Sequence, residues 1–259
     1  MDSKASLGIP SVLHQIWWSG PLPQPYAEWR AGWIANHPTW VHRLYGESEI
    51  IGIVQARAPQ WLGTFNALPR MIQKIDFFRY LIVYLDGGLY ADVDMISYLP
   101  CDPLLAGASC ILSVEHRLNN RLQTEFGYRQ PWQFANFVFA AVAGHPFFAA
   151  LLEHLAKRSG LPAPNDDGVE DTTGPRMLTR LAYSLRPEQR GEIRILPQVN
   201  LNPPFFYPRL GPLARSIYAR HVCAGDWRTE ADSRPLGRRL TPKGPFPNPF
   251  AAGAPFLLD

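Results

Sequence analysis

Asp76-Phe77-Phe78-Arg79-Tyr80 leads through Leu81–Asp86 into Gly87-Gly88-Leu89-Tyr90-Ala91-Asp92-Val93-Asp94, and the fold turns on how this stretch is read. Ile72, Ile75, Phe77, Phe78, Leu81, Ile82 and Val83 predict a helix over Arg70–Tyr84 that is apolar almost all round, hence buried. Gly87-Gly88 breaks it, and Leu89–Val93 resumes as an apolar strand ending on acidic residues. Working outward, the alternation continues. Val12–Trp18, closed by Ser19-Gly20-Pro21, and Val41–Tyr45 read as strands. Pro25–Asn36, stopped before Pro38, and Glu47–Arg57 read as helices. Further on, Cys110–Val114, Phe134–Val142, Ile193–Leu196 and Tyr218–Val222 read as strands, and Phe147–Arg158 and Arg176–Leu185 as helices. Arg117–Gln130 is expected to be a long charged loop and Asn165–Asp171 a polar one. Strands alternating with helices in one chain imply an α/β fold.

The same stretch carries the chemistry. Asp76 and Arg79 lie three apart on one face of a buried helix, so they either neutralise each other or reach a polar ligand such as a sugar. The helix does not choose between these. Asp92 and Asp94, two apart at a strand end, are expected to project to one face, where their repulsion is relieved by a hard cation. Oxygen ligands suit Mg²⁺ or Mn²⁺, which keep positions for phosphate oxygens and water, so a diphosphate completes such a site. An Asp-x-Asp triplet also occurs in solvated turns. The apolar flanks Leu89, Tyr90, Ala91 and Val93 weigh against that here.

Bulk properties narrow the classes. The 259 residues, 46% of them hydrophobic, suit one compact domain. The formal charge of +3 is scattered, or gathered near Arg234–Lys243, which fits anionic small molecules and calls for no nucleic acid. Cys101, Cys110 and Cys223 show no paired spacing, so neither a disulfide framework nor a zinc knuckle is indicated. No signal-peptide core and no apolar run of membrane-spanning length is present, so the expected location is cytoplasmic. Peripheral membrane contact stays open through the Pro-, Phe- and Leu-containing segment Phe246–Leu258. The expected division is a domain over 1–233 and a Pro-rich tail over 234–259 that packs on the domain, a partner or a membrane surface.

The ordered pieces Ile9-Pro10…His14-Gln15-Ile16-Trp17, Asp76-Phe77-Phe78-Arg79-Tyr80 and Gly87…Asp94 resemble the DXD-containing sugar-binding region of family 32 glycosyltransferases. Later pieces fit the same resemblance: Asn136 with Gly144-His145-Pro146, Gly174-Pro175, and His221…Trp227. It implies a GT-A, Rossmann-like single domain with a central mixed, mostly parallel sheet flanked by helices. It also implies residue roles. Trp17 would stack on the nucleobase, a role that competes with plain core packing. Asp76 and Arg79 would grip the donor sugar, Tyr90 would support the sugar or ribose, and Asn136 would lie near the donor or acceptor sugar. Asp92 would contact the donor and reach the metal through water, while Asp94 would ligate the metal directly. His221 joins as a metal ligand, and the Trp227 indole would bond the departing oxygen. The chain departs from the family at Asp226, where Ser is usual, and this extra carboxylate is a further candidate metal ligand.

The implied activity is a retaining transfer of a hexose from a nucleotide-diphosphate sugar, UDP-linked in preference to GDP-mannose, to a glycan or lipid-linked acceptor. Mn²⁺ or Mg²⁺ would assist diphosphate departure, with Asp92, Asp94 and Trp227 as the catalytic set. A catalytically silent sugar-nucleotide- or glycan-binding module is the alternative. A dehydrogenase is disfavoured, because Trp17-Trp18-Ser19-Gly20-Pro21 lacks the glycine-rich phosphate loop. Asp166, Asp167, Glu170 and Asp171 read as solvated, so no nucleophile is assigned. Arg117–Trp132 is the expected lid or acceptor platform.

Overall fold

The computed structural model describes residues 8–18, 20–158, 166–203 and 215–224. Its strands are β1 (Val12–Ile16), β2 (Val41–Tyr45), β3 (Gly88–Ala91), β4 (Met95–Ser97), β5 (Cys110–Arg117), β6 (Trp132–Ala141), β7 (Arg194–Leu196) and β8 (Ala219–His221). The helices are α1 (Tyr26–Asn36), α2 (Glu47–Arg57), α3 (Leu62–Ala67), α4 (Met71–Asp86), α5 (Asp102–Leu105), α6 (Asn120–Glu125), α7 (Pro146–Lys157), α8 (Asp166–Thr172), α9 (Pro175–Ser184), α10 (Pro187–Arg190) and α11 (Gln198–Leu201).

The main sheet has six strands in the order β2-β1-β3-β6-β5-β7. β1 pairs in parallel with β2 and β3, and β5 with β7, whereas β6 runs antiparallel to both neighbours. All strands but β6 therefore share one direction, and their carboxyl ends open on one edge, where open α/β sheets hold their ligands. This is the mixed, mostly parallel sheet expected, in a GT-A-type α/β fold.

Two apolar layers close on the sheet. On one face α2, α4, α7 and α9 pack against Tyr90, Leu112, Phe134 and Phe139. On the other, Trp33 of α1 and Met95 of β4 pack with Leu13, Leu89, Ala91 and Phe137. α4 is buried at Ile72 and Gln73 and then without a break from Asp76 to Val83, as its all-round apolar pattern predicts. Each fully buried Phe or Leu there contributes roughly 1.5–3 kcal/mol, so α4 anchors the sheet and not merely its own turns.

Gly87 and Gly88 connect α4 to β3 in conformations that only glycine takes easily, with φ of +67° and +108°. A Cβ on Gly88 would lie 2.6 Å from the Val12 carbonyl oxygen. His14 also bonds the elbow, its Nε2 standing 2.8 Å from the Gly87 carbonyl and its Nδ1 2.8 Å from the Tyr45 hydroxyl.

Three expectations need correction. The acidic strand ends at Ala91, and Asp92–Asp94 form a turn: the Asp92 amide donates to Phe137 O at 2.9 Å, and the Met95 amide closes onto Asp92 O at 3.1 Å. Convergence of the two carboxylates is thus a property of the turn, not of strand alternation. Residues 117–130 are not one loop, since β5 runs to Arg117 and α6 follows, capped by Asn119 accepting from the Leu122 amide. Residues 166–171 are helical and not a loop, because Val169 is buried and Arg176 and Arg180 pair with the acidic side chains. The tail over 234–259 and its boundary at 233 lie outside the described residues.

Candidate active site

Two groups of charged side chains meet at the carboxyl ends of β1 and β3. The first comes from α4. Asp76 and Arg79, 2% and 4% exposed, form an ion pair at 3.4 Å. Asp76 Oδ1 also accepts from Asn136 Nδ2 at 3.1 Å, and Oδ2 accepts from the Thr173 hydroxyl at 2.7 Å. Arg79 donates through Nη1 to the Asn136 carbonyl at 3.0 Å, places Nη2 3.4 Å from Asp92 Oδ1, and lies over the Tyr90 ring at 5.0 Å. Burial pushes the Asp76 carboxyl up to about 6 against the pull of Arg79, while Arg79 stays protonated because its carboxylate neighbours outweigh its own burial. Asn136 is brought in twice, by side chain and by backbone.

The second group comes from the turn after β3 and from β8. Pairing of β4 with β8 sets Met95 opposite His221, and the Val222 amide donates to Asp94 O at 2.9 Å. His221 Nε2 stands 3.1 Å from Asp94 Oδ1, and the Ala224 amide donates to Asp94 Oδ2 at 2.9 Å. The imidazole stacks on Phe137 with centroids 3.9 Å apart. Burial opposes ionisation of Asp94, yet the charge and hydrogen bond of His221 hold it below the usual carboxylate range. His221 is in turn held well above the ordinary imidazole value, the Asp94 charge overcoming burial. Asp92 is raised by burial, with Arg79 opposing, and its Oδ1 accepts from the Tyr90 hydroxyl at 2.5 Å.

Asp92, Asp94 and His221 each offer a ligand atom, and these atoms all lie within 4.8 Å of one another. Two carboxylate oxygens and one imidazole nitrogen form a donor set suited to Mn²⁺ or Mg²⁺, Mn²⁺ tolerating the nitrogen more readily. Asp92 shares Arg79 with Asp76, and Asp94 is paired with an imidazole that would give up its proton on ligating, so the residues present fit a divalent ion that takes that proton's place.

Trp17 follows β1, half-buried, its ring 5.2 Å from Tyr26 and its indole Nε1 buried with no hydrogen-bond partner among the described residues. Asp226 and Trp227 lie outside the described residues. Thr173 was not singled out in the sequence: it reaches Asp76 from 97 positions away, and its place just before Gly174-Pro175 reads as an ordinary helix start.

This geometry coincides with what comparison finds. The family model for the glycosyltransferase sugar-binding region containing the DXD motif matches residues 27–111, the span that holds Asp76, Arg79, Tyr90, Asp92 and Asp94. About a third of the chain is thus similar to this family of DXD-containing glycosyltransferases. Among its curated relatives, inositol phosphoceramide mannosyltransferase 1 of Schizosaccharomyces pombe is 29% identical over 194 residues, covering 73% of this chain and 56% of the relative. The initiation-specific alpha-1,6-mannosyltransferase of Candida albicans is 25% identical over 163 residues, covering 57% of this chain and 42% of the relative. The chain thus spans about half the length of these relatives. Among solved structures, the ligand-free glycosyltransferase domain from the YGT toxin matches with a TM-score of 0.50 at 10% identity, covering 73% of this chain and 80% of that one. At that identity the likeness concerns the fold.

Proposed function

We propose that this protein is a retaining glycosyltransferase that moves a hexose from a nucleoside-diphosphate sugar to a glycan or lipid-linked acceptor, with a divalent cation held by Asp94, His221 and Asp92. The convergence of those three side chains within 4.8 Å, beside the Arg79-linked Tyr90, is the observation that carries the reading. The names of the curated relatives favour a mannosyl residue, and hence add weight to GDP-mannose beside the UDP-sugars that the family resemblance suggests.

A cation bound there supplies Lewis acidity toward the diphosphate oxygens as negative charge develops on them. The protein's own residues do the rest. Tyr90 and Arg79 both engage Asp92 Oδ1, so they hold this carboxylate in one rotamer and leave its other oxygen to the ligand. Asp94 is oriented by the Ala224 amide and by His221. Asp76, whose oxygens are already engaged by Asn136, Thr173 and Arg79, acts chiefly by holding Arg79 and Asn136 in place, and the guanidinium extends positive charge toward the donor. Trp17 supplies an aromatic face for the nucleobase, with an N–H that has no partner among the described residues.

The test is a thermal-shift and hydrolysis panel of UDP- and GDP-sugars with Mn²⁺, followed by NMR of the anomeric proton of the product. Stabilisation and turnover with one nucleotide series, and a product of the donor's own anomeric configuration, are expected. Equal indifference to every sugar nucleotide would refute the donor site, and inversion would refute the stereochemistry.

A further inference from the structure

Glu115 is an acidic group at the same edge of the sheet to which the donor reading gives no task. β5 runs in the same direction as β3, so its last residues, Glu115–Arg117, emerge on the edge where Asp92 emerges. The β5–β6 ladder breaks there: Val114 pairs with Phe134 and His116 with Gln133, which leaves Glu115 as the extra residue of a bulge. Bulges re-aim a side chain and concentrate beside active sites. Val114 belongs to the core layer shared with α4, α7 and α9. The bulge suspends the strand's alternation at Glu115, and its carboxylate lies within electrostatic reach of His221, which stacks on Phe137.

The carboxylate is held and yet not sealed. Gln133 Nε2 donates to Oε2 at 2.9 Å, and Gln133 Oε1 is itself fixed by the Tyr128 hydroxyl, which donates to it at 2.9 Å. Oε1 stands 3.3 Å from His116 Nε2, and the Glu115 side chain keeps 17% exposure, against 2% for Asp76. Burial opposes its ionisation, but His116 and Gln133 hold it below the usual carboxylate range, and the charge of His221 reaches it as well. An ionised, oriented carboxylate with lone pairs to spare is a strong acceptor for the hydroxyl groups that a sugar acceptor presents.

We infer that Glu115, aimed by the β5 bulge and fixed by Gln133, binds a hydroxyl of a polyhydroxylated acceptor, a sugar or polyol, and orients that acceptor beside the Asp92–Asp94–His221 cluster. The inference rests on the glycosyltransferase reading, and the experiment separates the two. Donor hydrolysis and transfer are measured together, with Mn²⁺ and the sugar nucleotide that the donor panel selects, using methyl α-mannopyranoside and myo-inositol as acceptor probes. Wild-type protein is expected to hydrolyse the donor and to transfer to at least one probe. In Glu115→Gln and Glu115→Ala, the ratio of transfer to hydrolysis is expected to fall roughly 10- to 100-fold with a raised acceptor KM, the scale of a lost hydrogen bond to a charged group. Glu115→Gln keeps the size and the bond to Gln133, so it guards against a mere folding loss.

An unchanged ratio, whether both activities persist or both fall together, would overturn the inference and leave Glu115 as a structural partner of His116 and Gln133. Wild-type hydrolysis without transfer to either probe would overturn it too, with the donor reading intact. Absence of both hydrolysis and transfer with every donor would sink the donor reading and this inference with it.

Discussion

Asp76 and Asp94 are both carboxylates beside a cation at the carboxyl ends of the strands, but their surroundings are built in opposite ways. Asp76 is enclosed: Asn136, Thr173 and Arg79 engage both its oxygens inside the core layer of α4. Asp94 sits on a turn, is bonded by one backbone amide and one imidazole, and has Asp92 as a neighbour of like charge. Satisfied buried polar networks fix geometry, whereas two close carboxylates sharing one imidazole store a demand for positive charge. Arg79 joins the regions, paired to Asp76 on one side and Asp92 on the other. The difference teaches that the enclosed group is the frame and the open one the working site.

That division is sharpest if the two aspartates fail differently when replaced. Asp94→Asn is expected to lower Mn²⁺-dependent hydrolysis or transfer roughly 100- to 1,000-fold while urea unfolding stays within about 1 kcal/mol of wild type. A variant with full activity would remove Asp94 from the metal site. Asp76→Ala leaves Arg79 buried with one partner fewer, so stability is expected to fall by roughly 3–5 kcal/mol, read from the urea midpoint. A near-neutral result would mean that the frame does not depend on the pair. Tyr90→Phe deletes only the hydroxyl on Asp92. About tenfold loss of metal affinity is expected, the scale of an outer-shell bond, and calorimetric Mn²⁺ titration checks it.

The smallest effect is in pH. Asp76 has its folded value raised to about 6 by burial, above the ordinary carboxylate value, so the folded state binds the extra proton between these values. Its contribution to stability therefore falls as pH rises from about 4 to about 6, and is flat above that. In Asp76→Asn this slope is expected to vanish from the pH dependence of the unfolding free energy. An identical profile would assign the slope to another group.

Much of this architecture was legible in the residues. The bounds of α2 and β2 coincide with the sequence reading, and α4 differs only at its ends, because long apolar periods and the Gly87-Gly88 break leave few alternatives. Asp92 and Asp94 were found through their apolar flanks. What escaped was set by distant partners. β4 is three residues long, too short for any period, and exists because it pairs with β8, which the sequence did signal. α8 reads as a polar loop until Val169 docks and Arg176 supplies counter-charge. Thr173 and Glu115 carry no local signal, since one matters through Asp76 and the other through a bulge that only β6 reveals.

The central claim is that Asp92, Asp94 and His221 together hold a divalent ion against the donor's diphosphate. Its most direct test is an electron paramagnetic resonance titration of Mn²⁺ into wild-type protein and Asp94→Asn, each with and without the nucleoside diphosphate that the donor panel selects. The predicted result is one Mn²⁺ site in the wild type that tightens when the nucleotide is added and is lost in the variant. Equal Mn²⁺ occupancy in the two proteins, indifferent to nucleotide, would contradict it.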